Sequence, residues 1–195
     1  MSEPARAPSP RQGELLELAY RYALQHGLAD LSLRPLAGAI GSSPRVLLFL
    51  FGSKDGLLRA LLARARTDEL ALLGRVRGDK GPGDLADIVS ATWGWLAAGE
   101  HRALLVLWAQ AYARSLSEPD GPWAGFARQT VEDWLGVLAT AQPANRRRSA
   151  VGVAERSLAL AVLRGALLDL LATDDFDRTT GAVHLHLSES ARTPS

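Results

Sequence analysis

The sequence contains no cysteine, only one methionine and only four histidines. The lack of cysteine excludes disulfide bonds, thiol catalysis and thiolate metal sites, and it is typical of proteins of the reducing cytoplasm. The histidines, at positions 26, 101, 184 and 186, show no metal-ligand spacing with carboxylates. We therefore expect neither a metal nor another cofactor.

Long hydrophobic runs and catalytic motifs are also absent. The most apolar stretch, residues 157–172, contains Arg164 and Asp169, which argues against a membrane span. The first ten residues, MSEPARAPSP, lack the apolar segment of a secretory signal. No glycine-rich phosphate loop and no nucleophile pattern of serine, histidine and aspartate is present. We expect a cytoplasmic protein that is not an enzyme.

Charge is distributed unevenly along an otherwise ordinary globular composition of 195 residues, 47% hydrophobic and 22% charged. Residues 1–66 contain nine basic and five acidic residues, a net charge of +4. Residues 67–195 contain 13 basic and 16 acidic residues, a net charge of −3. The basic N-terminal third indicates a polyanionic partner for that part of the chain.

Helix start and stop residues follow one another along the whole chain. The apolar spacing of residues 11–26 predicts a first helix that ends at Gly27. Ser32 and Ser43 are good N-caps, each with a proline in the turn that follows. The remaining pattern predicts helices over residues 33–40, 44–50, 54–73, 84–98, 101–116, 122–141, 145–172 and 175–188.

We therefore expect an all-α protein of about nine helices. It begins with a disordered N-terminal arm at residues 1–10. A helix-turn-helix DNA-binding domain with three principal helices follows at residues 11–66. A helical domain for ligand binding and dimerisation covers residues 67–195, and the clearest break in the helical pattern lies at Gly74–Gly83.

The two short helices joined by a glycine turn form the predicted helix-turn-helix. The second one can enter a major groove with its N-terminal residues at base edges, and Arg45 in its first turn can reach a guanine. Its apolar side should pack Leu47 and Phe51 inward. Serine hydroxyls and free N–H groups at the helix starts can hold phosphates. The candidate DNA contacts are Ser32, Arg34, Ser43, Pro44, Arg45, Val46, Phe49 and Lys54.

Residues 31–62, LSLRPLAGAIGSSPRVLLFLFGSKDGLLRALL, resemble the DNA-binding domain of the tetracycline-repressor (TetR) family. The residues in register with the family pattern are Leu36, Ala37, Ala39, Gly41, Ser43, Leu47, Phe51, Ser53, Lys54 and Leu57. The resemblance implies an operator-binding homodimer with a small effector in the C-terminal domain. Leu48 replaces the family's phosphate-binding tyrosine, and Leu50 replaces an aromatic residue or histidine, so we expect fewer phosphate contacts.

Aromatic residues make up 6% of the chain and gather in its C-terminal part. They fill a core or line a cavity between helices, where rings can stack on an apolar or aromatic ligand. The resemblance to the TetR family favours the cavity. The candidate lining residues are Trp93, Trp108, Tyr112, Phe126 and Trp134.

The helix predicted over residues 145–172 is apolar almost all round, which is typical of a helix buried on two sides. One side should face the domain core and the other a second subunit. Gly165 and Ala166 permit close helix approach there. The candidate dimer contacts are Leu158, Val162, Gly165 and Ala166.

The sequence thus predicts a ligand-responsive DNA-binding transcriptional regulator. We expect a homodimeric repressor that binds a pseudo-palindromic operator and is released by a small apolar or aromatic effector. The alternative is a dimeric helical module that senses a ligand or holds a protein partner, with weak or lost DNA binding. The replacement of the phosphate-binding tyrosine by Leu48 favours that alternative.

Overall fold

A computed structural model describes residues 9–28, 31–77 and 84–190 of the chain. All regular structure in these ranges is helical, which confirms the all-α class. A 3₁₀ turn, Gly99–His101, precedes the sixth of the ten α-helices found there. These helices are α1 (Pro10–His26), α2 (Leu33–Ala39), α3 (Pro44–Phe51), α4 (Lys54–Arg77), α5 (Leu85–Leu96), α6 (Arg102–Ser117), α7 (Phe126–Thr140), α8 (Ala144–Arg147), α9 (Ala150–Thr173) and α10 (Phe176–Ser190).

Serine caps set the starts of α3 and α4, and the cap of α3 is one that the sequence predicts. The Ser43 hydroxyl accepts a hydrogen bond from the Val46 amide at 3.2 Å. The Ser53 hydroxyl accepts one from the Gly56 amide at 2.9 Å. Both hydroxyls satisfy amides that have no partner inside their helix. The apolar run of residues 46–51 is therefore helical.

Two predicted boundaries in the C-terminal part are wrong. α7 begins at Phe126 instead of Pro122, because Gly125 adopts φ +76° and separates the helix from the turns before it. The single helix predicted over residues 145–172 is divided into α8 and α9. Ser149 is extended at φ −75° and ψ 153°, and its side chain caps α9. The division raises the helix count from nine to ten within the described ranges.

α4 is longer than predicted and crosses residue 66, where the sequence suggested a domain boundary. It continues to Arg77, so the predicted break at Gly74–Gly83 starts no earlier than residue 78. Residues 78–83 lie outside the described part of the chain, as do residues 1–8 of the predicted arm. Ser9 and Pro10, predicted as part of that arm, form the N-cap and the first residue of α1.

Two hydrophobic clusters form the interior. The first is built from α1 to α4 and extends to Leu107 and Ala111 of α6 and to Trp123 and Phe126. The second gathers α5, α7, α9 and α10 with Leu105 of α6. Because α6 contributes to both clusters, the two predicted domains share packed side chains. Leu47 is 1% exposed and lies in the first cluster, with Phe51 packed against it, as predicted from the sequence.

Polar contacts fasten α1 to α4. The Tyr20 hydroxyl donates to Oδ2 of Asp68 at 2.9 Å, and Arg64 pairs with Glu17 at 2.5 Å and with Asp68. The Arg64 guanidinium lies over the Tyr20 ring, 4.8 Å from its centroid. Burial, together with the bond to Asp68, raises the pKa of Tyr20 above its ordinary value, so the hydroxyl remains a donor.

No helix in the described ranges combines the length and the apolar character that a membrane span requires.

Candidate functional site

The turn between α2 and α3 has the geometry of a helix-turn-helix. Gly41 adopts φ +63°, a left-handed conformation that favours glycine. The Ser42 amide donates to the Ala37 carbonyl at 2.8 Å and closes the end of α2. Ser43 then begins α3 two residues after the glycine. The helix-turn-helix predicted from the sequence is confirmed.

The predicted DNA contacts lie on the surface of the helix-turn-helix. Ser43 and Pro44 are half-buried, and the other six are exposed: Ser32, Arg34, Arg45, Val46, Phe49 and Lys54. Ser32 occupies the N-cap position of α2, but its side chain makes no capping hydrogen bond. The capping role predicted for Ser32 is therefore not seen, and its hydroxyl faces solvent.

The exposed cations of this motif are available to an anion. Arg34, Arg45 and Lys54 form no ion pair with any acid in the described part of the chain. Arg64 and Arg66, further along α4, are by contrast paired with Glu17 and Asp133. These three cations of the helix-turn-helix can therefore meet a polyanion without first breaking an ion pair.

The outward surface of α3 is apolar beyond its first turn. Val46, Leu48 and Phe49 are exposed by 39%, 41% and 85%. An exposed phenylalanine of this kind indicates contact with another molecule, since a soluble surface seldom keeps large rings so open without a role. In a major groove such side chains can contact thymine methyl groups.

A second candidate site is an internal cavity below the helix-turn-helix, enclosed by α4 to α7 and α9. Its volume is about 40 Å³ when measured as the space open to the centre of a water molecule. A larger ligand would therefore have to displace side chains. Its lining consists of Ala65, Glu69, Trp95, Leu96, Leu104, Leu105, Trp108, Phe126, Trp134, Leu160, Leu163, Arg164 and Leu167.

The structure places three of the five predicted cavity aromatics in this lining: Trp108, Phe126 and Trp134. Trp93 lies elsewhere in the second cluster, 2% exposed, and its Nε1 donates to Thr180 at 3.1 Å. Tyr112 lies behind the lining and contacts Arg164 through its hydroxyl. A periodic aromatic pattern cannot separate core rings from lining rings, because both lie on inward helix faces.

Sequence reasoning did not propose Trp95, Glu69 and Arg164 for the cavity. Arg164 carried a signal, because it interrupts the apolar stretch LALAVLRGALL of its helix, whereas Glu69 carried none, since it follows Arg66 and Asp68 in a charged part of α4. A lone charge on such a helix is expensive to bury without a partner or a role. In the sequence alone, the interruption by Arg164 indicates that this helix does not span a membrane.

Glu69 is the buried acid of the cavity. It is 7% exposed, and Nε1 of Trp134 donates to its Oε1 at 2.5 Å. Burial raises the pKa of Glu69 to about 6, and the Trp134 bond opposes that rise. Arg66 and Asp133, paired at 2.8 Å, lie close enough to influence this carboxyl.

Arg164 is the cation of the cavity. One terminal nitrogen, NH1, donates to the Tyr112 hydroxyl at 3.2 Å, and the guanidinium lies 5.1 Å from the centroid of that ring. Burial lowers the pKa of Arg164, and the charge of Glu69 opposes the change. The charges of Arg164 and Glu69 influence each other's pKa, although the two side chains form no ion pair in the described part of the chain.

A third surface follows α9 and α10. Val151, Leu158 and Leu168 of α9 are exposed by 54%, 55% and 52%, and Phe176 and Leu185 of α10 by 50% and 60%. Among the four predicted dimer contacts, Leu158 and Gly165 are exposed on this face. Val162 and Ala166 are half-buried and pack partly against the second cluster.

The class defined by these features is an all-α protein with an N-terminal helix-turn-helix and a helical domain that encloses a cavity. Comparison with solved structures identifies the fold as that of TetR-family regulators, which confirms the resemblance seen in residues 31–62 at the level of fold. A TetR transcription regulator from Haloarcula marismortui superposes with a TM-score of 0.71 at 19% identity, covering 91% of this chain and 94% of that one.

Two further solved structures show the same architecture. The multidrug binding protein EbrR, complexed with imidazole, has a TM-score of 0.66 at 22% identity over 100% of this chain and 99% of its own. A TetR-like transcriptional regulator from Rhodococcus sp. RHA1 has a TM-score of 0.59 at 21% identity, with coverage of 96% and 97%.

The curated relatives that match in sequence are transcriptional regulators. The HTH-type transcriptional regulators Rv1816 of Mycobacterium tuberculosis and Mb1846 of Mycobacterium bovis are each 29% identical over 135 residues. The match covers 66% of this chain and 56% of each relative. No family model matches the chain.

Proposed function

We propose that this protein is a transcriptional regulator that binds an operator through α2 and α3 as a homodimer and responds to a small effector in the internal cavity. The observation that carries the proposal is the free Arg45 in the first turn of α3, with its neighbouring unpaired cations. The fold of TetR-family regulators and the curated helix-turn-helix relatives support it. No catalytic role is proposed for any residue.

In the proposed complex the first turn of α3 lies in the major groove. Arg45 donates to a guanine edge, and Val46 and Phe49 contact apolar base surfaces. Ser32, Ser43 and Lys54 lie at helix starts, where hydroxyl, amide and ammonium groups meet phosphates. Arg34 and Pro44 lie next to these residues at the starts of α2 and α3. These contacts divide the site into base-reading residues and positioning residues.

The apolar face of α9 and α10 is proposed to pair with the same face of a second copy. Among the exposed positions of α9, residues 151, 154, 158, 161, 165, 168 and 172 recur at intervals of three and four and form one side of the helix. The small residues Ala161 and Gly165 allow two such helices to approach closely. A two-fold dimer would present two copies of α3 to half-sites about one DNA turn, roughly 34–36 Å, apart.

α4 is proposed to connect the effector to the operator. It packs against α3 and α1 in the first cluster, and Ala65 and Glu69 of the same helix line the cavity. A ligand that displaces the wall can shift this continuous helix, and with it the spacing of the two α3 helices. Coupling of this kind typically amounts to about 1–3 kcal/mol. We propose that the operator-bound protein represses its genes and that effector binding relieves this repression.

The effector is proposed to have an apolar or aromatic body, since leucine and tryptophan side chains dominate the cavity lining. The related structure named as multidrug binding protein EbrR was crystallised with imidazole and with proflavin. Because the two proteins share a fold, we propose that the cavity of this chain is the corresponding ligand site.

The test is a pull-down of genomic fragments from the source organism with the purified protein, followed by sequencing. The proposal expects a small set of enriched fragments that share a pseudo-palindrome. Gel-shift titrations should then show that an effector bound at the cavity weakens the complex. Uniform enrichment of all fragments at low and moderate salt would contradict operator recognition.

A second candidate is a helical module that uses α3 to hold a protein partner. The exposed apolar row of Val46, Leu48 and Phe49 favours it, because a leucine replaces the expected phosphate-binding tyrosine there. The two functions differ in salt dependence. DNA binding weakens steeply with added salt because counterions are released, whereas an apolar protein contact does not.

A further inference from the structure

Two side chains in the cavity lining keep buried hydrogen-bond donors that have no partner in the described part of the chain. They are Nε and the terminal nitrogen NH2 of Arg164, and Nε1 of Trp108. Guanidinium and indole N–H groups can only donate. Folded proteins satisfy most buried polar groups, so donors left open at a cavity indicate a ligand that supplies acceptors.

The arrangement of the nitrogen atoms of Arg164 indicates which acceptor group a ligand would carry. NH1 is held by the Tyr112 hydroxyl, and the Tyr112 ring lies under the guanidinium. Nε and NH2 share the opposite edge of the guanidinium plane, where two parallel N–H groups match the two oxygens of a carboxylate. A single hydroxyl or ether oxygen would satisfy only one of them.

We propose that the effector is an apolar molecule bearing one carboxylate, which pairs with the Nε–NH2 edge of Arg164 while a ligand oxygen accepts from Nε1 of Trp108. The inference rests on the proposed effector function and adds the head group to it. The apolar body lies among Leu105, Leu160 and Leu163, which line the same cavity. The side chain of Arg164 thus distinguishes acids from neutral or cationic molecules of equal shape.

Glu69 is the cavity group that opposes an anion. Its pKa, raised by burial to about 6, lets it take up a proton when a carboxylate enters. The other charged or titratable groups around it are Arg66 and Asp133, which pair with each other, and Tyr112 behind Arg164. His101 stacks on Trp95 with 3.9 Å between ring centroids. Carboxylate binding should therefore tighten as the pH falls from 8 to 6.

The experiment compares matched probes that share a body and differ in charge. One set is octanoate, octan-1-ol and octylammonium, and the other is the anion of 2-naphthylacetic acid, 2-(2-naphthyl)ethanol and 2-(2-naphthyl)ethylammonium. Tryptophan emission and thermal shift of the full-length protein report binding. We expect the carboxylate to bind about 10- to 100-fold more tightly than the alcohol of the same body, as a charged hydrogen-bonded pair can provide.

Four variants locate the effect. Arg164→Gln should remove the preference for carboxylates, and Trp108→Phe should weaken their binding while keeping the ring. Tyr112→Phe is the matched control, because it leaves the Nε–NH2 edge of Arg164 intact and should retain the preference. Glu69→Gln should abolish the tightening at low pH.

The outcomes separate the inference from the proposed function. Equal binding of alcohol and carboxylate, or tighter binding of the ammonium, overturns the carboxylate assignment and leaves the cavity as an effector site. A carboxylate preference that survives Arg164→Gln also overturns it. Absence of saturable binding by any of the six probes overturns both the assignment and the cavity as an effector site.

Discussion

Arg45 and Arg164 are the same side chain in two surroundings, and the surroundings give them different chemistry. Arg45 is exposed in the first turn of α3, so its guanidinium can reach another molecule at little desolvation cost. Arg164 is half-buried at the cavity wall with two nitrogen atoms unsatisfied. The first suits recognition of a large polyanion, and the second suits a small ligand that enters the protein.

Leu48 offers a direct test of phosphate contact. It is 41% exposed, so tyrosine can replace it without disturbing the core. Leu48→Tyr should tighten binding to any duplex without changing which base is preferred, because the new hydroxyl meets a phosphate and reads no base. Gel-shift titrations on operator and unrelated duplexes measure this. A change in base preference would show that residue 48 lies at base edges.

Glu69 should make stability depend on pH. Because its folded pKa of about 6 lies above the ordinary value of 4.5, the folded protein holds the proton more tightly than the unfolded chain. Its contribution is therefore favourable at low pH and is lost as the pH rises through 6. Glu69→Gln should be more stable than wild type by about 2 kcal/mol above pH 7.

Chemical denaturation of both proteins between pH 4 and 8 measures this difference. The advantage of the glutamine variant should shrink to near zero below the ordinary carboxyl pKa, where both side chains are neutral. A stability difference that is the same at every pH would contradict a raised pKa for Glu69.

Individual helices show what could be predicted from sequence and what could not. α1 to α3 were predicted within one residue of their observed ends, because serine caps, prolines and glycines mark them locally. The division of α8 from α9 was missed because Ser149 is one cap inside a continuous helical pattern. The cavity residues Glu69 and Arg164 were missed because their proximity depends on how α4 packs against α9.

The two faces of α3 predict opposite effects for neighbouring substitutions. Leu47→Ala should destabilise the fold by about 2–5 kcal/mol, since the side chain is 1% exposed and leaves a cavity. Phe49→Ala should change stability little, because the ring is 85% exposed, but should weaken DNA binding. Thermal unfolding and gel shifts of both variants check this. Equal stability losses would contradict the assigned orientation of α3.

Assembly is the property of the whole molecule that the exposed face of α9 and α10 predicts. Leu158→Glu should convert the dimer to monomer, because an unpaired charge would be buried at the contact. Leu116→Glu is the matched control, since Leu116 is 69% exposed and belongs to α6 instead of α9 or α10. Light scattering at micromolar concentration measures the mass. A wild-type monomer, or a Leu158→Glu dimer, would contradict the proposed interface.

Operator recognition by α3 is the central claim for the molecule, and one gel-shift series tests it most directly. It compares wild type, Arg45→Ala and Lys54→Ala on an operator found by the pull-down, at several salt concentrations and with each base of the half-site varied. Arg45→Ala should cost about 1–3 kcal/mol and relax preference at one base pair per half-site. Lys54→Ala should weaken all duplexes alike and reduce the salt slope by about one per subunit. Unchanged affinity and base preference in Arg45→Ala would contradict the account.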